Sequence, residues 1–228
     1  TTGYTAMGLV ADDGGTATVT DLQVDTEGDR SIGLYAIVEQ AGSQFPAYIS
    51  ATRTTVHTIG QAAHGAASQA RNDAPGEAAR IDLVDSAITT DGDDAVGLRA
   101  TLANYGSTPP TGRGSASVTV VDTTVETSGS RAFGVLSRDA PTSVSIERGG
   151  VETIGEAAHG AVAQIGGYVS GTDTRIAASG TDAMALYLAG VPGATSSMDF
   201  VDSTLVNSSG PMIGMAGNTT LSLTGTTA

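Results

Sequence analysis

The chain has 228 residues, a formal net charge of -14, no cysteine, no tryptophan and only 4% aromatic residues. That charge argues against nucleic acid or anionic membrane as a partner, and the missing cysteine excludes disulfides, thiolate catalysis and Cys-bound zinc. No apolar run approaches the ~18 residues of a transmembrane helix, while 31 glycines among abundant Val, Thr, Ser and Ala favour strands and tight turns.

The first patterned element is TGYTAMGL at 2–9, and it returns along the chain. EGDRSIGL, IGQAAHGA, DGDDAVGL, SGSRAFGV, IGEAAHGA, SGTDAMAL and SGPMIGM follow, a Gly-x-x-small-x-Gly pattern led by Gly3, Gly28, Gly60, Gly92, Gly129, Gly155, Gly180 and Gly210. Successive starts lie 25, 32, 32, 37, 26, 25 and 30 residues apart. A unit of about 25 residues is too short for a globular domain and suits one turn of a solenoid, which buries its apolar face only by stacking on its neighbours.

The residues of each unit specify which solenoid. Four positions before the leading glycine stand Val24, Val56, Ile88, Val125, Val151, Ile176 and Val206, a β-branched column that predicts a buried ladder. Around the second glycine, Met7 and Leu9, Ile32 and Leu34, Val96 and Leu98, and Phe133 and Val135 alternate with the period of two that marks strands. The pattern predicts an all-β, right-handed parallel β-helix of about eight coils, one segment over 1–228. Patterning that runs to both ends predicts a fragment of a longer chain. The leading glycine is expected to turn a corner at positive φ, and the second to lie in a strand where coils crowd.

Several motifs could carry chemistry. His64 and His159 share the column of Met7, Ile32, Val96, Phe133, Met184 and Ile213, which places them in inward or rim positions, with Ala66 and Ala161 as small neighbours making room for the rings. Three coils apart, about 14 Å at ~4.8 Å per strand, they cannot share one metal ion. ADDGG at 11–15 and DGDD at 91–94 lack the periods of calcium loops and read as solvated turns. Seven positions before the leading glycine, Asp21, Arg53, Asp85, Asp122, Arg148, Asp173 and Ser203 predict a surface ion-pair ladder. No Ser/His/Asp set emerges from the three histidines, and no metal, cofactor or catalytic residue is assigned.

VDSAITTDGDDAVGL (84–98), VDTTVETSGSRAFGV (121–135) and TDTRIAASGTDAMAL (172–186) resemble coils of pertactin-like autotransporter passenger domains. The resemblance runs along nearly the whole chain. It implies a Gram-negative virulence protein, secreted through an outer-membrane β-barrel and displayed on the cell surface or released. Such a passenger acts as an adhesin that binds a host protein or glycan, or another bacterial cell through self-association. The alternatives are a polysaccharide lyase or hydrolase on the same fold, or a purely structural stalk. An enzyme of that kind needs clustered acids and aromatic sugar platforms, and this composition offers few of the latter. Extra residues near Glu39–Ala47, Gln69–Ala79, Thr101–Ala116 and Ala189–Ser197 all follow the second glycine, so stacking should gather them along one edge. That edge supplies the candidate partner-binding residues Arg71, Asn72, Asp73, Asn104, Tyr105 and Arg113.

Overall fold

The computed structural model describes residues 1–39, 45–71, 76, 78–103 and 114–228. Among them there is no helix; 23 strands form three parallel sheets, two of eight strands and one of seven. Seven coils contribute one strand each to sheets I, II and III, and a last pair of strands, Ile213–Ala216 and Thr219–Thr224, extends only sheets I and II, giving about seven turns of a β-solenoid. The first coil shows the plan: Met7–Asp12 enters sheet I, Thr16–Thr20 sheet II and Gln23–Glu27 sheet III.

The β-branched column is a buried ladder. Val24, Val56, Ile88, Val125, Val151 and Ile176 pair in register through sheet III, each no more than 7% exposed. The last coil departs from the expected column. Ile176 pairs with Leu205, while Val206 pairs with Ala177 and is only half-buried. Leu186 pairs with Ile213, so Ile213 continues the Leu34 and Leu98 column rather than that of the histidines. The cause lies at the corner: Ser209 sits level with Gly180, whose N–H donates to Ser209 Oγ at 2.8 Å, so Gly210 falls one position late. Spacing measured back from that glycine slips by one residue.

Both glycine positions are sterically crowded, and only the small Ala185 and Ser209 stand in for them in the last coils. Gly3, Gly28, Gly60, Gly92, Gly129, Gly155 and Gly180 all turn at φ between 124° and 155°, and a β-carbon on any of the last six would strike the carbonyl of the glycine one coil before. Gly33, Gly65, Gly97 and Gly134 lie in sheet I against Val56, Ile88, Val125 and Val151 across the interior, with the next coil's backbone at their side. Alternation breaks at this second glycine. Leu34 and Leu98 enter the main core, whereas Ile32 joins Tyr35, Ile37 and Ala67, and Val96 joins Leu136 and Val162, in separate clusters on the outer side of sheet I. A strict period of two would have put Ile32 and Leu34 on the same side.

The corner between sheets II and III repeats a left-handed residue. Asp21, Arg53, Asp85, Asp122, Arg148, Asp173 and Asp202 have φ between 48° and 55°, so Asp202, not Ser203, ends this column. Arg53 donates to both carboxylate oxygens of Asp21, at 2.7 and 2.9 Å, and Arg148 to those of Asp122, at 3.1 Å each, as well as to Glu147. These pairs are exposed, and the Arg53 hydrogen bonds hold the Asp21 carboxyl below its ordinary range. Arg53→Ala is therefore expected to lower the melting temperature slightly in dilute buffer and not at ~1 M salt, where the Debye length is about 3 Å. A loss that persists at high salt would assign Arg53 a role other than surface pairing.

Candidate functional site

All the long insertions open at one corner, between sheets I and II. There Ile37 leads to Ala47, Arg71 to Ala78, Ala103 to Ser115 and Ala189 to Ser196, whereas Arg138 reaches Thr142 and Gln164 reaches Tyr168 directly. Part of the extra sequence lengthens strands instead of looping out. His64–Arg71 and Val96–Ala103 have eight residues against six in Met7–Asp12. Of the six candidate binding residues, Arg71 is placed: it ends its strand opposite Ala103, and its Nη1 donates to the Glu39 carbonyl at 2.7 Å. The Gly114 N–H donates to the Arg71 carbonyl at 3.0 Å, closing the base of the third insertion. Asn72, Asp73, Asn104, Tyr105 and Arg113 lie outside the described residues.

The histidine column faces outward from the main core. Met7, Ile32, His64, Val96 and Phe133 pair in register on sheet I. Ala66 and Ala161 belong to the main core on the other side, so they do not make room for the rings. What accommodates His159 is a stack: Phe133 lies 5.5 Å from it and nearly parallel, and Tyr187 is 4.9 Å away on the other flank. The Met184 N–H donates to His159 Nδ1 at 3.2 Å, and burial lowers the ring's pKa. His64 is partly buried as a residue, but its Nδ1 is sealed without a hydrogen-bond partner. Burial, aided by the Arg99 guanidinium, pushes its pKa down to about 3. Among the described residues no hydrogen bond joins either ring to a hydroxyl it could activate. The stacked rings also spend their faces on one another, which leaves little flat surface for a sugar.

A second polar constellation escaped the repeat pattern. On the outer side of sheet III, His57 Nε2 lies 2.8 Å from Asp91 Oδ2, and Ser128 Oγ donates to Asp91 Oδ1 at 2.6 Å. These are the residue types of a hydrolytic triad, but in the wrong order. A serine nucleophile needs a histidine to take its proton, whereas here aspartate stands in the middle and Ser128 bonds the acid. The Ser128 hydrogen bond, then that of His57, lowers the Asp91 pKa. Asp91 and Ser128 border a shallow cleft of about 270 Å³ that also touches Thr89, Glu126 and Glu152. Glu126 and Glu152 pair directly across adjacent coils, an arrangement of like charges that disfavours the ladder. His57 lies two positions after Thr55, and Asp91 two after the Thr89 that His57 faces, so no fixed motif spacing marks the trio.

The acidic turns serve the corners. Asp29 Oδ1 accepts the Gln61 N–H at 3.0 Å, Asp93 Oδ1 accepts the Ser130 N–H at 2.8 Å, and Asp94 is gripped by Arg131 at 2.7 and 2.8 Å. Asp13 Oδ1 accepts the Glu39 N–H at 2.9 Å, and burial followed by the charges of Asp13 and Glu39 raises the Asp12 pKa. Among the described residues no group of three His, Asp or Glu side chains is placed to hold a metal ion, and no helix is long and apolar enough to cross a membrane. Comparison with protein-family models, with curated proteins and with solved structures gives no match.

Proposed function

We propose that this solenoid is part of an autotransporter-type passenger, surface-displayed or secreted, that acts as an adhesin or host-factor-binding virulence protein. Its partner is a host protein or glycan, or another bacterial cell. The observation that carries the reading is the gathering of all long insertions at one corner of the stack, three of them in consecutive coils. A solenoid accepts insertions at any corner that leaves its ladders intact, so confinement to one edge is the arrangement expected of a contact surface. The rigid stack provides reach, and the edge provides the variable chemistry. The inverted wiring of Ser128, Asp91 and His57 offers no support for hydrolysis.

The test is a replacement of residues 104–113 by a short Gly-Ser link. Ala103 and Gly114 end and begin neighbouring ladder segments, so the link leaves the strand pairs of sheets I and II untouched. The expected result is loss of cell adhesion or partner capture with unchanged β-sheet spectrum and melting temperature. Full adhesion by the replaced protein would remove this insertion from the binding surface.

A further inference from the structure

The interior of sheet III carries a threonine two positions before five successive leading glycines, Gly28 to Gly155, and Ala178 takes the place before Gly180. Thr26, Thr58, Thr90, Thr127 and Thr153 pair in register through five coils, and all are at most 3% exposed. Their Cγ2 methyls define which way the hydroxyls turn: those of Thr58, Thr90, Thr127 and Thr153 lie against Gly33, Gly65, Gly97 and Gly134. In Thr153 this leaves Oγ1 facing the corner between sheets III and I, where it reaches Ala158. The column lining that corner holds only small residues, among them Ser31, Ala63, Ala95 and Ala132, all fully buried.

Thr153 shows what such a hydroxyl seeks. Its Oγ1 donates to the Ala158 carbonyl at 3.1 Å. That carbonyl is available because the Met184 N–H of the next coil turns to His159 Nδ1. In the coils of Thr26, Thr58 and Thr90 the equivalent carbonyls are engaged: those of Ser31, Ala63 and Ala95 accept N–H groups from His64, Val96 and Phe133 at 2.8, 3.3 and 2.9 Å, whereas the Ala132 carbonyl, the equivalent for Thr127, takes no N–H from His159. There the hydroxyls of Thr26, Thr58, Thr90 and Thr127 have no protein partner, and neither does Ser31 Oγ. Buried hydroxyls in such a row are costly unless something pairs them.

We infer that a single file of buried water molecules runs along this corner, one between each successive pair of threonine hydroxyls from Thr26 to Thr127. The repeat distance suits the ligand. Side chains in register on adjacent parallel strands are ~4.8 Å apart, too far for a direct bond, and a water about 2.8 Å from each would subtend about 118°, close to the tetrahedral angle. Between the first two coils Ser31 Oγ supplies a third contact, and the second lone pair of each corner carbonyl supplies one elsewhere. The lining favours water over a cation, since the orphaned groups, Ser31 Oγ included, are neutral hydroxyls and the other opposing side chains are methyls. The file stops at Thr153 because that hydroxyl is served by Ala158.

A crystal structure at about 1.5 Å, paired with the isosteric variant Thr90→Val, tests the inference. The expected wild-type density places a water within hydrogen-bonding distance of Thr58 and Thr90, and another of Thr90 and Thr127. Thr90→Val should lose both and melt below the wild type, because their remaining hydroxyls are left unpaired. Absence of density along the column overturns the inference. So does a Thr90→Val protein that melts at or above the wild type, the behaviour of a site where a dry, unsatisfied hydroxyl has been replaced by a methyl.

Discussion

Val125→Asp is expected to destabilise the solenoid by roughly 3–5 kcal/mol, the cost of leaving a buried charge without a partner. Val125 is 1% exposed, stands between Ile88 and Val151 on the ladder, and its Cγ1 packs on Gly97 across the interior. Aspartate is close to valine in volume, so the change isolates charge from size. Its carboxylate would face aliphatic neighbours on both sides along the stack and could escape ionisation only by a large rise in pKa. The interior is closely packed at this level, since an added atom at Gly97 would already meet the Gly134 carbonyl at 2.7 Å. Because each coil is stabilised mainly by its two neighbours, the damage should spread to both. Hydrogen exchange is expected to show lost protection in Ala87–Asp91 and Gly150–Ile154, with a lowered denaturation midpoint. An unchanged midpoint would put Val125 outside the core.

The solenoid was legible in the sequence because its steric demands recur with every coil. A leading glycine that stacks on the carbonyl of the one before leaves little room for a side chain, and a second glycine pressed between coils gives way only to the small Ala185 after Gly180. Column positions repeat for the same reason, so Val56 predicts Ile88 and Ile88 predicts Val125. Where a coil meets the corner demand by other means, the pattern misleads. Ser209 stands at the level of Gly180, and columns counted from Gly210 slipped to Val206 and Ser203 when Leu205 and Asp202 hold those places. Strand alternation failed at the second glycine for a related reason. A residue without a side chain can face the interior beside another that also does, so Gly33 and Leu34 both point inward and Ile32 is left outside.

The candidate sites were less legible because they do not repeat. His57, Asp91 and Ser128 belong to three different coils at offsets that no local motif encodes. The insertions were readable in position, since any sequence beyond the ladder's need must loop out or lengthen a strand. Their chemistry is not constrained by stacking, so periodicity carries no information about it. The interior threonines left a signal that was available, a Thr two positions before Gly28, Gly60, Gly92, Gly129 and Gly155. Threonine is so ordinary in strands that its regularity is visible only once the column is known to face inward.

Acidification from pH 8 to pH 5 is expected to cost the solenoid about 2 kcal/mol through His64 alone. The fold holds this imidazole neutral, with a pKa of about 3, whereas in the unfolded chain it titrates near 6.5. The unfolded state therefore binds more protons throughout that interval. The His64 contribution is fully present above pH 6.5 and is lost progressively as the pH falls towards 3. The loss down to pH 5 depends on the unfolded pKa as long as the folded value lies well below 5. His159, whose pKa burial also lowers, adds a contribution of the same sign. Asp91 and Asp94 have pKa values below 3.8, so the loss of their hydrogen bonds belongs to more acidic solutions. The positive charge facing His64 is Arg99, which makes protonation of the ring less favourable still. His64→Val removes the titrating group and keeps the outer cluster apolar, since Val96 already occupies the same column one coil on. Denaturant midpoints measured at pH 5, 6, 7 and 8 should fall more steeply on acidification for the wild type than for His64→Val. Parallel curves for the two proteins would mean that His64 accepts its proton as readily folded as unfolded, and that the sealed Nδ1 is open to solvent.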